Sequence, residues 1–419
     1  MGPGVILTRP QLRLLLPLGV SMALSLTGDL TMYSVLANET DVLGIGLGVV
    51  GILLSANRLI RIPGNILAGG FYDRLGRRPL YLTGLTLGIL STLSYSLARG
   101  FWPLLGGRVL WGISWSLINV GGYSMILDIS TAADRGRMTG LYQMAFMLGL
   151  TISPLLGGTL TDALGFRLAV RWCAAVSAIG LVLALVALPE TRPPGDLPPR
   201  TRWRSPTRQQ VTAWLGIWQR MDRQLMAVTY LYLVTFFVNG GVLVSTVSLY
   251  LKQRWGESVV LAGAVIGVAS LAGAMLAMRA GLGMLAGPLA GFLSDRLHNR
   301  WPVIWGAILL AMAGFGVLAL PAGTWAVPVG VALAALSTAG LTTAIAALVG
   351  DRAVGQRQGL IMGGLATAGD LGSALGPLVA YALAVAVDLR WVYLLCAVGL
   401  ASGLVGVAVA RSNPQRAFK

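Results

Sequence analysis

The sequence predicts an all-α integral membrane protein with twelve transmembrane helices in two pseudo-symmetric six-helix bundles. Three observations carry this expectation. The chain of 419 residues is 56% hydrophobic and 11% charged, with a mean hydropathy of +0.76, a composition that no globule with a polar surface sustains. A dense charged knot, Gly69-Gly-Phe-Tyr-Asp73-Arg74-Leu-Gly76-Arg77-Arg78, separates two long apolar stretches and recurs in worn form as Gly291-Phe-Leu-Ser-Asp295-Arg296-Leu-His-Asn-Arg300. The net charge of +16 is unevenly spread, with most of the 31 basic residues on alternate connections between apolar stretches.

A helix needs about 20 apolar residues to cross the hydrocarbon core. Candidate helices begin near Leu12, Val42, Pro79, Phe101, Arg135, Leu168, Arg223, Ser258, Trp301, Thr324, Arg357 and Leu389. The first follows Arg9 and Arg13 in the manner of a secretory signal. It runs past Asp29 without an A-x-A cleavage pattern, so it reads as an uncleaved helix. Residues 190 to 222 break the apolar pattern with Pro193, Pro194, Pro198, Pro199 and several arginines, and read as a linker. Within it, Ser205-Pro206 forms a helix start and Val211, Trp214, Leu215 and Trp218 recur at helical spacing, which predicts an amphipathic helix on the membrane surface. The expected organisation is a bundle over 1–189, a cytoplasmic linker over 190–222 and a second bundle over 223–419.

The repeat can be checked by offset. Gly69 to Gly291 and Asp73 to Asp295 are shifts of 222, while Asp128 to Asp351, Gly140 to Gly363, Gly149 to Gly372, Pro154 to Pro377 and Arg167 to Arg390 are shifts of 223. Two halves descended from one unit predict a pseudo-two-fold axis along the membrane normal, with a substrate site between them near mid-membrane. The charge bias predicts both termini in the cytoplasm: Arg74, Arg77, Arg78, Arg135, Arg137 and the linker arginines fall inside, whereas the loop after the first helix carries Glu39 and Asp41.

The knot is similar to the loop motif G-x-x-x-D-R/K-x-G-R-R/K of the major facilitator superfamily. The first copy fits at every fixed position, and the second has His298 where the family has glycine. Arg108-Val-Leu-Trp-Gly112 in the fourth helix resembles the family's R-x-x-x-G core. Gly149-Leu-Thr-Ile-Ser153-Pro154-Leu-Leu-Gly157-Gly158 in the fifth resembles the G-x-x-x-G-P-x-x-G-G sequence of its antiporters, with Ser153 replacing a glycine. Gly372-Ser-Ala-Leu-Gly376-Pro377 echoes it in the eleventh. Close helix packing alone explains many such patterns. The resemblance covers essentially the whole chain and implies the superfamily fold, alternating access and kinship with the twelve-helix drug/proton antiporters.

The knot is expected to hold one side of the protein shut. Asp73 would sit near the amide groups at the start of the eleventh helix, around Gln358 and Gly359, and Arg77 or Arg78 would reach Asp128. In the second half Arg296 or Arg300 would reach Asp351. Orientation of the chain is the plainer purpose of these arginines, but it requires neither the aspartate nor the glycines.

Charges within the hydrocarbon are functional candidates. Six qualify: Asp29, Arg58, Arg61, Arg108, Arg279 and Asp370. Asp29 and Arg108 lie at similar depth and are expected to pair, giving an acid that takes and releases a proton as its partner comes and goes. In the family's drug antiporters a first-helix acid and the fourth-helix arginine share the cavity. Arg58 and Asp370 lie near mid-membrane, where they would form a pair that breaks during transport or a permanent bridge, and Asp370 is the alternative proton carrier. Arg61 and Arg279 have no evident acidic partner and favour a substrate with an anionic group. Tyr33, Asn57, Asn65, Asn119, Tyr123, Gln143 and Asn239 are candidates to line the cavity, although such residues commonly serve as interhelical hydrogen-bond partners.

An enzyme is disfavoured. His298 is the only histidine, Cys173 and Cys396 fall inside helices, no metal-ligand cluster is evident, and no G-x-x-x-x-G-K-[ST] exists for ATP. The expected protein is a monomeric secondary transporter in the plasma (inner) membrane that needs no cofactor, metal or nucleic acid. It would exchange protons for an amphiphilic or drug-like small molecule, with an organic anion as the alternative cargo.

Overall fold

Glycine reversals cut the apolar stretches into separate helices. The computed structural model describes residues 8–131, 134–192, 223–261, 263–321, 323–352 and 358–412. Its long helices are α1 (Arg9–Val35), α2 (Leu47–Tyr72), α3 (Arg77–Leu97), α4 (Phe101–Ile129), α5 (Arg135–Leu164), α6 (Phe166–Ala187) and α7 (Arg223–Trp255). They continue with α8 (Val268–Arg296), α9 (Trp301–Ala319), α10 (Ala326–Arg352), α11 (Gln358–Ala384) and α12 (Leu389–Ser412). Gly100 and Gly165, at φ +81° and +77°, occupy backbone conformations that L side chains resist, and they reverse the chain before α4 and α6. Among the described residues nine helices are long and apolar enough to cross a membrane. α4, α11 and α12 fall outside the nine; Arg108 and Asn119 in α4 and Asp370 in α11 lower the hydropathy of the first two. Ile66, Leu97, Val186 and Leu285 are exposed, as apolar side chains that face lipid must be.

Helix starts lie within a turn and a half of the expected positions, with one exception. The eighth helix, expected from Ser258, begins at Val268, because β1 (Ser258–Leu261) and β2 (Ala264–Gly267) pair as an antiparallel hairpin with Ser258 opposite Gly267. The β-branched Val259, Val260, Val265 and Ile266 favour extended backbone. Gly263, at φ +83°, makes the turn between them. Apolar periodicity alone does not separate such a run from a helical turn. The eight residues Phe236–Leu243 inside α7 form a π-helix, around Gly240 and Gly241.

Contacts divide the chain into two units, Met1–Pro198 with Val244–Gly281 and Pro199–Leu243 with Leu282–Lys419. In the first, α1 packs on α5 and α6, α3 on α4 and α6, and α2 on α4. In the second, α7 packs on α11 and α12, and α9 on α10 and α12. Four of these five pairings recur six helices later; the packing of α2 on α4 has no equally close counterpart between α8 and α10 among the described residues. The linker expected over 190–222, with its amphipathic helix, lies from residue 193 onward outside the described residues.

Candidate functional site

The centre of the first unit holds a buried ion pair. Arg108, fully buried on α4, donates from Nη1 to Asp29 Oδ1 on α1, and Asp29 is 6% exposed. The guanidinium is fixed on its other sides. Its Nε donates to the Leu53 carbonyl at 2.9 Å and its Nη2 to the Tyr33 hydroxyl at 3.4 Å. Asn57 on α2 donates from Nδ2 to the same Asp29 oxygen at 3.1 Å. The R-x-x-x-G spacing explains the closeness. One turn from Arg108, a Cβ at Gly112 would lie 2.7 Å from the Asn57 carbonyl oxygen, so only glycine lets α4 approach α2 there.

Arg58 donates from Nε to the Tyr33 hydroxyl at 3.2 Å, and its guanidinium and that of Arg108 lie 5.3 and 5.4 Å from the Tyr33 ring centroid. Arg61 lies 5.7 Å from the Trp115 ring. Arg279 on α8 is close enough to interact with the Arg58 charge, and among the described residues its Nε is buried without a hydrogen-bond partner. Tyr123 donates to Gln143 Oε1 at 2.8 Å, which joins α4 to α5. Asn119 is half-buried. Asn65 Oδ1 is buried without a hydrogen bond among the described residues. In the second unit Asn239 is buried within the π segment, with Nδ2 donating to the Thr235 carbonyl at 3.3 Å. Asp370 is half-buried and close enough to Tyr232 for its charge to act on that ring.

The two charged turns resolve the choices left open by the sequence. Arg77, not Arg78, reaches Asp128, at 3.0 Å, and Arg77 also donates to the Tyr72 carbonyl. Arg78 donates instead to the Leu185 carbonyl. Gly69, Asp73, Arg74 and Gly76 form the α2 end and the turn, with Asp73 exposed. In the second unit Arg300, not Arg296, pairs with Asp351 at 3.0 Å and also with Asp295. These two hydrogen bonds raise the Arg300 pKa above its ordinary value. Arg296 is exposed.

The arginine and its Asp128 or Asp351 partner are 51 residues apart in both turns. Arg300 therefore corresponds to Arg77, at the shift of 223, and not to Arg78 as the motif alignment expects. The second turn is one residue longer after its aspartate, which is where the offset changes from 222 to 223. His298, the only positive-φ residue other than glycine among those described, takes up the extra residue at φ +49°.

Several further contacts join distant parts of the sequence. Glu190 accepts from the backbone N–H groups of Arg77 and Arg78, at 3.0 and 3.1 Å, and so caps α3 from a distance of more than a hundred residues. Thr191 adds a hydrogen bond to Asp128 at 2.9 Å. An acid at the head of an arginine-rich linker was the available signal. At the opposite end of this unit, Asp162 on α5 accepts from the Ser270 N–H at 2.7 Å and caps α8. Nearby, Asn38 donates to the Ser248 hydroxyl at 2.7 Å and Lys252 donates to the Asn38 carbonyl at 3.1 Å. Burial raises the Glu39 pKa there, an effect that the charge of Lys252 partly opposes.

The antiporter-type motif packs on both sides. A Cβ at Gly157 would lie 1.8 Å from Thr31 Oγ1 on α1, and one at Gly158 would lie 2.1 Å from the Ala269 carbonyl on α8. Gly149 meets Ala23 on α1, and the Pro154 carbonyl would be 2.2 Å from a Cβ at Gly273. Ser153 is buried, with no hydrogen-bond partner for Oγ among the described residues. In the second unit, Gly372 and Gly376, the latter next to Pro377, pack against the α7 backbone at Leu233 and Phe237.

Two units of membrane-length helices with buried charge inside an apolar shell define an integral membrane protein. The sequence profile of the Major Facilitator Superfamily matches residues 18–286 and 271–419, and the chain belongs to that family. It is 28% identical over 372 residues to the tetracycline resistance protein, class C, of Escherichia coli, covering 86% of each chain. A match of 34% identity to the MFS antiporter QDR3 of Candida albicans spans 29% of this chain and 17% of that protein. Among solved structures, the human organic anion transporter MFSD10 (TETRAN) superposes with a TM-score of 0.66 at 19% identity, covering 96% of this chain and all of that one.

Proposed function

We propose that this protein is a proton-coupled antiporter that exports an amphiphilic or drug-like compound by alternating access. It would work as a monomer of twelve spans in the plasma (inner) membrane, with both termini in the cytoplasm. One observation carries the reading: the buried Asp29–Arg108 pair, with Asn57 on the same carboxylate oxygen. A buried carboxylate stays ionised only while its partners hold it, so displacing Arg108 favours proton uptake from water, and return of the guanidinium favours release. Substrate that competes for Arg108, or swings α4 against α1, thereby becomes linked to the proton. Kinship with the tetracycline resistance proteins supports export, and the charged turns at Gly69–Arg78 and Gly291–Arg300 are read as gates.

The test is tetracycline uptake into proteoliposomes with an acidic lumen, where outward proton flow drives substrate in. Uptake is expected to collapse with a protonophore and to be lost in Asp29→Asn. Gradient-independent uptake, unchanged in Asp29→Asn, would sink the reading. Loss in Asp370→Asn alone would move the carrier to α11.

A second reading, transport of an organic anion, is favoured by Arg279, whose buried Nε has no hydrogen-bond partner among the described residues. Guanidinium binds carboxylate in a two-pronged geometry. Arg279→Ala is expected to weaken inhibition of transport by anionic competitors while leaving inhibition by neutral ones intact.

A further inference from the structure

The contacts around Asp29 are one-sided in a way that matters once the acid carries a proton. Arg108 and Asn57 both donate to Oδ1, and among the described residues Oδ2 takes no hydrogen bond. Oδ2 is therefore the atom on which a proton can settle without breaking an existing contact. A protonated carboxyl then needs an acceptor for its O–H. Arg108 cannot provide one, because a guanidinium has donors only. The Tyr33 hydroxyl is already committed: it takes hydrogen bonds from Arg58 and Arg108 and donates its own proton to the Leu54 carbonyl at 3.3 Å.

Asn57 is the remaining side chain in contact with the carboxylate. It is 1% exposed, and its Oδ1 is buried with no hydrogen-bond partner among the described residues. An unsatisfied buried carbonyl is unfavourable, and native structures rarely keep one without a use. The terminal torsion of asparagine is broad and roughly two-fold, so the amide can turn over without moving the backbone. The close approach of Gly112 to the Asn57 carbonyl keeps that backbone fixed against α4.

We propose that Asn57 is a positioning residue that reads the protonation state of Asp29. It donates Nδ2–H to Oδ1 of the ionised acid, and once Oδ2 carries the proton, a half-turn of the carboxyl together with one of the amide brings Oδ2–H onto the Asn57 Oδ1. This rests on the reading of Asp29 as proton carrier. The proton comes from water on one side of the membrane, forms the O–H bond at Oδ2, and returns to water on the other. No other bond is made or broken, and Arg108 stays cationic throughout. When Asn57 accepts from the protonated carboxyl, Arg108 loses its ionic partner and is free to engage substrate.

Difference infrared spectroscopy on the reconstituted full chain tests this. Acidification is expected to produce a protonated-carboxyl C=O band that vanishes in Asp29→Asn. In Asn57→Leu, of similar size, that band is expected to move to higher wavenumber as its hydrogen bond is lost. In the unaltered protein carrying 13C-labelled asparagine side chains, one amide carbonyl band is expected to move to lower wavenumber on acidification, and to stay still in Asp29→Asn. This second measurement holds even if Asn57→Leu fails to fold. If the Asp29 band appears but no asparagine carbonyl responds, the role of Asn57 is refuted and proton carriage by Asp29 survives. If no carboxyl band depends on Asp29, both fall.

Discussion

The two charged turns began as copies and now close in different ways. In the first, Arg77 is held by Asp128, while Glu190 and Thr191, from beyond the end of α6, tie the turn to a third helix. The ion pair is 9% and 22% exposed at its two side chains. In the second, Arg300 meets Asp295 five residues away as well as Asp351, and the acids are 71% and 55% exposed. The backbone at the start of α9 is capped by Asn299 Oδ1, two residues from the Trp301 N–H it accepts. Long-range contacts make the first turn a junction of several helices, whereas the second is secured largely from within. A shared motif therefore does not imply shared mechanical importance.

The widest gap between the turns should appear on removing the arginine. Arg77→Ala leaves the Asp128 carboxylate, its side chain 22% exposed, without its charge partner and is expected to cost about 2 kcal/mol, visible as a lower melting temperature in detergent. Arg300→Ala, with solvated acids around it, is expected to change melting little; an equal loss in both would break the comparison. Next, Asp73→Asn is expected to slow the proposed transport, measured in proteoliposomes, more than Asp295→Asn. The Asp73 carboxylate makes no hydrogen bond or ion pair among the described residues, so the effect of its replacement should be on rate and not on melting. Removing the remote cap with Glu190→Gln is expected to cost about 1 kcal/mol, with no parallel in the second turn. The smallest effect is expected from His298→Gly, which relieves the left-handed backbone and should stabilise by about 0.5–1 kcal/mol; a loss of stability would show that the His298 ring has work of its own.

Much of this was legible from the chain. Asp29 and Arg108 stood out because charge in an apolar helix needs a reason, and equal depth suggested that they meet. Packing partners were foreshadowed by the constant offset. What stayed hidden was local. Alignment assigned Arg300 to Arg78, since a single extra residue in a turn leaves no mark on composition, and only the geometry of the pair reveals the register. The hairpin at 258–267 read as helix because short apolar runs fit both periods. Asn57 was visible only as one polar residue among several, since nothing in its neighbours signals which oxygen it touches. Glu190 lay beyond the reach of local pattern, because its partners are more than a hundred positions away.

The extra residue after Asp295 also serves as a ruler. From α2 to the turn the halves register at 222 and after it at 223, so the membrane-embedded charges from α2 onward can be matched with their opposite numbers. Asn57 and Arg108 fall on Arg279 and Val331, while Asp370 falls on Met147. Where the first half places an amide and a base, the second places a cation and a hydrocarbon. The skeleton was inherited twice and its charge only once. A chimera built from two first halves would therefore repeat the helices without recreating the protein's asymmetry.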